Sequence, residues 1–267
     1  MPAVHLAKLK TQIDRLVWQF TRPQEFQHSL TDLFESYADR VYRAGDAIQS
    51  APLIPAYHVS TLVMRQLEQQ LIRQCKENQG AALALADTLW LDEYLEPRLL
   101  AVFLVGQVSP QPPELVVDRL RQWSHSAESA HLQQTLFSQG SIRLRRERPG
   151  EWLNFLTDWL SSSRLASQKT GLHALVVLVQ DREFEDLPSL FSMITPLFQT
   201  SPTGLHAELV EVIKALVQRS PIETAYFLRQ ILTISSNPNT ARVVRRLLPV
   251  FSPELQATLR KILQTQG

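Results

Sequence analysis

The chain has 267 residues, 44% of them hydrophobic and 20% charged, with only 8 glycines. That balance supports a sizeable buried core, excludes an intrinsically disordered chain, and argues against a protein built from glycine-rich phosphate loops and tight β-turns. Lys and Arg number 27 against 26 Asp and Glu, a formal charge of +1, but residues 1–139 carry 12 basic and 15 acidic groups while residues 140–267 carry 15 and 11; the C-terminal half is therefore the one expected to meet an anion.

The first residues, Met1 to Lys10, lack an apolar signal core, so no leader is expected. From Val4 to Phe20 apolar residues recur at Leu6, Leu9, Ile13, Leu16, Val17 and Phe20, the spacing of one helical face. Thr21 is placed to cap a second helix, with Pro23 in its first turn, Gln24 in the reciprocal capping position, and Phe26, Leu30, Leu33, Phe34, Tyr37 and Val41 on its inner face. The segment Gly45 to Pro55 breaks the pattern and reads as a connector. Residues 1–50 are thus expected to form an N-terminal helical pair, and residues 51–267 a continuous array in the same domain.

Helices follow over Tyr57 to Cys75, Ala81 to Leu91 and Leu95 to Val108, the last two as a hairpin. Cys75 is the only cysteine, which excludes an internal disulfide and a cysteine-rich zinc site and suits a reducing, cytoplasmic setting. Ser109 to Glu114 is a proline-rich stop, the next helix ends near Trp123, and residues 124–148 are the least regular stretch. Glu151 to Gln180 is expected to form a second hairpin across Ser161, Ser162 and Ser163, with Trp152, Phe155, Leu156 and Trp159 on one apolar stripe and Leu165, Leu172, Leu175, Val176 and Val179 on the other. Pro196 is expected to interrupt the helix from Leu187 to Phe198. Leu205, Leu209, Val212, Ile213 and Leu216 make the following inner face, and Ser220-Pro221-Ile222-Glu223 and Ser252-Pro253-Glu254 read as capped helix starts.

The pair Ala174-Leu175 recurs as Ala215-Leu216, 41 residues on, close to the ~40–47-residue period of HEAT-type repeats. Period-two alternation is nearly absent, and no apolar run is long enough to cross a bilayer. The expected fold is all-α, an α-solenoid or superhelix of antiparallel helical hairpins, with no membrane span.

Leu85 to Val105 carries a Leu-Trp pair closing one helix, Leu89 and Trp90, and a Glu-x-Arg-Leu-Leu-Ala run opening the next, Glu96, Arg98, Leu99, Leu100 and Ala101. This layout resembles the HEAT-repeat DNA alkylation-repair family, the alkylpurine DNA glycosylases, and the later unit around Trp159 and Lys169 is similar to that family's tryptophan-ended helix followed by an arginine-bearing one. The resemblance implies a cleft in which an aspartate of a Trp-Asp pair stabilises positive charge on the sugar, with arginine and tryptophan alongside. Here Ser-His-Ser-Ala-Glu follows Trp123, leaving Glu128 as the nearest carboxylate; Lys169 falls where the functional arginine is expected, and Lys214 where a cleft tryptophan is expected.

The residues themselves supply the remaining candidates. Arg143, Arg145, Arg146 and Arg148 bring four guanidinium groups into one short stretch, which a phosphate backbone would relieve and which a solvated loop with Glu147 and Glu151 would also accommodate. Arg242, Arg245 and Arg246 share a helical face near a C-terminus, where either phosphate or the helix dipole suits them. Lys214 can instead pair with Glu211. His125, Glu128 and His131 stand three apart with no further ligand, so no metal is expected, and no cofactor. Tryptophans in such a chain serve mainly as core anchors.

The expected function is duplex DNA binding through a basic concave face, with weak or lost alkylpurine glycosylase activity. Arg143, Arg145, Arg146, Lys169, Lys214, Arg242, Arg245 and Arg246 would contact phosphates, and Trp123 and Glu128 would be the remnants of catalysis. The chain is expected to be a monomer. The alternative is a non-enzymatic scaffold that holds a protein partner in its groove.

Overall fold

The three-and-four spacing of apolar residues is realised as helix throughout the computed structural model, which describes residues 5–39, 54–127, 129–235 and 237–265. Among the described residues there is no strand, and no helix is long and apolar enough to cross a membrane. Val41, most of the connector before Pro55, and Glu128 lie outside the described residues. The chain divides into two compact units, Met1–Glu151 and Trp152–Gly267.

The first unit contains α1 (Leu6–Trp18), α2 (Pro23–Tyr37), α3 (Thr61–Glu77), α4 (Gln79–Trp90), α5 (Leu95–Gln107), α6 (Glu114–Ser126), α7 (Ala130–Thr135), a π-helical turn (Leu136–Gly140) and α8 (Ile142–Glu147). α1, α3 and α5 pack in series, with α2 against α4, and α4 and α5 form the tightest hairpin. Arg119 of α6 grips Asp87 of α4 with two hydrogen bonds, 2.7 and 2.6 Å. The stretch 124–148, expected to be irregular, is largely helical. Its helices are only 6 residues each, too short for a periodic pattern to declare itself, and they are held by α5. Gly106 makes that packing possible, since a Cβ there would stand 2.2 Å from the Gln139 carbonyl oxygen of the π-helical turn.

The family-like run in α4 and α5 has structural work of its own. Glu96, only 6% exposed, accepts the backbone N–H of Tyr57 at 3.0 Å and of His58 at 2.6 Å. It thereby holds the chain before α3 at a point where His58 has φ 55°. Arg98 donates to the Asp92 carbonyl at 2.6 Å, and Tyr57 stacks on Tyr94 with ring centroids 4.1 Å apart.

α9 (Pro149–Leu160) begins at the boundary, and the second unit continues with α10 (Leu165–Gln180), α11 (Leu187–Thr200), α12 (His206–Arg219), α13 (Pro221–Ile234), α14 (Pro238–Leu247) and α15 (Pro253–Thr265). Here alternate helices pack in series: α12 packs between α10 and α14, and α13 between α11 and α15. Side chains reaching back about one period fasten each step. Arg219 closes the end of α10 by donating to the carbonyls of Val179 at 2.9 Å, Asp181 at 2.5 Å and Phe184. In the same way α14 closes α11, with Thr240 Oγ1 donating to Phe198 O at 2.6 Å and Asn237 Nδ2 to Thr200 O at 2.8 Å.

Several helix starts differ in detail from the sequence pattern. The residue flanking α2 is Arg22 rather than Thr21; it makes no side-chain cap and pairs with Glu25 at 2.8 Å. Pro221 opens α13 as expected, but the Ser220 hydroxyl makes no capping bond, and its carbonyl accepts from Thr224 Oγ1 at 2.6 Å. α11 runs through Pro196. A proline removes one N–H, a loss the burial of Leu190, Ile194, Leu197 and Phe198 on that helix outweighs.

Candidate functional site

The sequence candidates divide between the two units, and within each the structure sorts them by what their side chains already hold. In the first unit, Trp123 is 3% exposed and lies flat against Trp90, ring centroids 4.4 Å apart and planes within 3°. Trp90 is itself 6% exposed and donates to Ser126 Oγ at 3.2 Å. Each indole therefore spends a face on the other, which anchors α6 on α4, and both border a groove with Asp118 and Leu91. Glu128, the other candidate for catalysis, lies outside the described residues.

The arginine cluster is likewise committed in part. Arg143 pairs with Glu147 at 2.6 Å and donates to the Gln107 carbonyl at 2.7 Å, tying α8 to the end of α5. Arg145 donates from Nη1 to the carbonyls of Phe137 at 2.6 Å and Ser138 at 3.2 Å and to Ser141 Oγ at 2.7 Å. A π-helical turn leaves carbonyls without their usual helical donors, and Arg145 supplies one. Arg146 and Arg148 are exposed. His125 Nδ1–H donates to the Arg121 carbonyl, 2.6 Å away; among the described residues no group of three His, Cys, Asp or Glu is placed to hold a metal ion.

In the second unit the five candidates all belong to the α10, α12, α14 layer, on the side away from the buried faces. α14 is the clearest case: Ala241, Val243, Val244 and Leu247 are buried, while Arg242, Arg245 and Arg246 are exposed. Arg242 has one hydrogen bond, to Asn239 Oδ1 at 3.3 Å, and among the described residues neither Arg245 nor Arg246 has a carboxylate partner. The Asn237 cap and the buried valines fix the helix, so the three guanidinium groups are presented on a rigid support. Lys214 of α12 pairs with Glu211 at 2.7 Å, both well exposed, a link worth only ~0.2–0.5 kcal/mol.

Lys169 of α10 holds a less ordinary partner. Its Nζ is 3.1 Å from Glu208 Oε1, and the lysine side chain keeps 41% of its surface while the glutamate keeps 11%. Glu208 Oε2 is buried with no hydrogen-bond partner among the described residues. Leaving a buried acceptor unpaired costs roughly 1–3 kcal/mol, more when it is charged. His173, on the same exposed side of α10, has its pKa lowered chiefly by desolvation, with Glu208 raising it and Lys169 lowering it further. Lys169, Glu208 and His173 thus form one electrostatic group bridging α10 and α12. Sequence reading missed Glu208. The 41-residue step was the available signal, because it sets residues near 210 level with Lys169.

The sequence profile of the DNA alkylation repair enzyme family matches residues 52–247, which takes in α3 to α14 and every candidate above. A crystal structure of smu.31 from Streptococcus mutans UA159 is similar at 17% identity and a TM-score of 0.49, over 62% of this chain and 83% of that one. No curated protein matches the chain. With the profile spanning most of its length, the chain belongs to the DNA alkylation repair enzyme family.

Proposed function

We propose that the protein binds duplex DNA through the exposed side of its α10, α12 and α14 layer and hydrolyses, at a low rate, the N-glycosidic bond of alkylated purines. The successive hairpins of each unit are read as HEAT-type repeats, whose rigid stacking suits the tracking of a regular polyanion. The observation that carries the reading is α14: three arginines on one exposed side, none bound to a carboxylate among the described residues, opposite a fully buried apolar side. Arginine forks match phosphate oxygens. Lys169 and Lys214 add two cations whose present partners are exchangeable. Arg143 and Arg145 shape the first unit rather than touch DNA.

A salt series on duplex binding tests this. Affinity is expected to fall linearly on a log–log plot, and each phosphate contact contributes about 0.9 to the slope. Arg245→Ala should lower the slope by about that amount while leaving the thermal midpoint unchanged. Absence of duplex binding at low salt would falsify the proposal. A second reading, a groove for a protein segment, is favoured by one feature: the apolar trough of ≈ 580 Å³ between α11 and α13 that carries exposed Ile222 and Tyr226 over Phe191 and Phe227.

A further inference from the structure

The turn from α4 to α5 carries two grooves that share one side chain. Leu91, 81% exposed, borders both. On one side a groove of ≈ 320 Å³ has the Trp90 and Trp123 pair with Asp87 and Asp118. On the other a groove of ≈ 310 Å³ has Tyr57 stacked on Tyr94, with Asp92 and Glu93. Each groove thus combines a stacked aromatic pair with two carboxylates. Arg119 is the one cation among the described residues that line them, and Asp87 holds it with two hydrogen bonds. Arg98, the other cation at the turn, lines neither groove and donates from Nε to the Asp92 carbonyl at 2.6 Å. Asp118 and Glu93 are exposed, and their carboxylates have no partner among the described residues. Asp92 accepts only from neutral donors, Gln27 Nε2 at 2.8 Å and the Tyr94 N–H at 2.9 Å, which leaves its charge in place. α4 ends at Trp90, so the negative end of its dipole adds to the same potential. Tyr57 registers that potential: its pKa is raised chiefly by burial, eased by a hydrogen bond with Thr31, and raised further by the charges of Asp92 and Glu35.

We infer that this turn docks a segment of a partner protein in which a large apolar side chain stands between basic ones. Charge complementarity names the occupant, because Asp92, Glu93 and Asp118 repel an acidic segment or a nucleic acid and attract a basic one. Leu91 supplies the apolar contact at the centre, where its burial against the partner contributes through the hydrophobic effect. A basic side chain in each groove lays its aliphatic stem on the aromatic rings and brings its cation to the carboxylate at the rim. Arginine suits both grooves better than lysine, since its flat guanidinium stacks on rings and its fork takes both oxygens of a carboxylate. Arg119 and the tryptophan pair fasten α6 to α4, so the groove is formed in advance and the cost of ordering falls on the partner. The surface is opposite in sign to the exposed arginines of α14, and the duplex proposed above does not compete for it.

Selection of a random dodecapeptide library, displayed on phage, against the full chain at about 0.15 M salt is the test, followed by calorimetry on synthetic copies of the enriched peptides. Enriched sequences are expected to share one large apolar residue with Arg or Lys on both sides. Leu91→Ser, and separately Glu93→Gln combined with Asp118→Asn, should each raise Kd at least about tenfold. The thermal midpoint and the duplex affinity should stay at the parent values, since all three side chains are exposed. The loss in the double substitution should shrink at high salt, while that in Leu91→Ser persists. A library that yields no enriched peptide, or peptides without basic residues, overturns the inference. So do enriched peptides that bind both variants within about threefold of the parent, or that lose affinity in Ile222→Ser, which places them on the α11 and α13 trough instead. Self-association that Leu91→Ser abolishes makes a second copy of the chain the occupant and overturns the partner segment.

Discussion

Glu96, Cys75 and Glu208 are three buried or half-buried acids whose surroundings give them different tasks. Glu96 has both oxygens on backbone N–H groups, so its charge serves the fold. Removing it leaves those donors without a charged acceptor, and Glu96→Ala should cost about 2–4 kcal/mol, read as a lower denaturation midpoint with an unchanged denaturant slope. Burial pushes the Cys75 thiol from its ordinary value of 9.0 up to about 12. Between those values the folded chain keeps a proton that the unfolded chain has lost, so stability falls as pH rises through that window. Tyr37 and Tyr57, also raised by burial, act in the same direction at higher pH. Cys75→Ala should flatten the alkaline decline of the thermal midpoint between about pH 9 and 10. The native thiol should react with a disulfide reagent only after denaturant is added. Glu208, unlike either, gives one oxygen to Lys169 at 3.1 Å, and its other oxygen has no hydrogen-bond partner among the described residues.

At the scale of elements, close packing depends on residues whose contribution is the absence of a side chain. α5 approaches the π-helical turn at Gly106, where a methyl group would overlap the Gln139 carbonyl. Backbone on both sides leaves no flexible neighbour to yield, so Gly106→Ala should destabilise the chain by about 1–3 kcal/mol or more. The expected signature is greater solvent exchange of amides in the π-helical turn and α8. Gly171 plays the matching part in the second unit, with the position of a Cβ 3.0 Å from Leu160 and Trp159 side-chain atoms. Arg145 and α14 show how similar basic sequences reach opposite ends. Arg145 is spent on carbonyls, so Arg145→Ala should lower stability by about 1–3 kcal/mol and leave the salt slope of DNA binding unchanged. Arg245→Ala should do the reverse.

For the whole molecule, the DNA reading concerns where net charge sits more than how much there is. A chain of formal charge +1 gains little from long-range steering, so binding must come from local phosphate contacts and be strongly salt-dependent. The second unit carries exposed cations on helices fixed by back-reaching side chains, Arg219, Asn237 and Thr240. The fastenings reach back about 35–42 residues, and the exposed cations lie on the helices that they hold.

The sequence by itself determined the long amphipathic helices and their order, because apolar spacing at three and four residues reports directly on local structure, while the six-residue α7 and α8, held by packing on α5, left no such record. It also pointed to the family, since the Leu89 to Ala101 run lies in one continuous segment. Only the tertiary structure decided what polar side chains do. Glu96 and Arg145 meet backbone groups made available by distant or irregular turns, Trp123 meets Trp90 across two helices, and Glu208 meets Lys169 from 39 residues away. A charge run reads the same in sequence whether its side chains face solvent or cap a helix. The partner of each is set by the packing of helices against one another, and one-dimensional spacing carries no record of that.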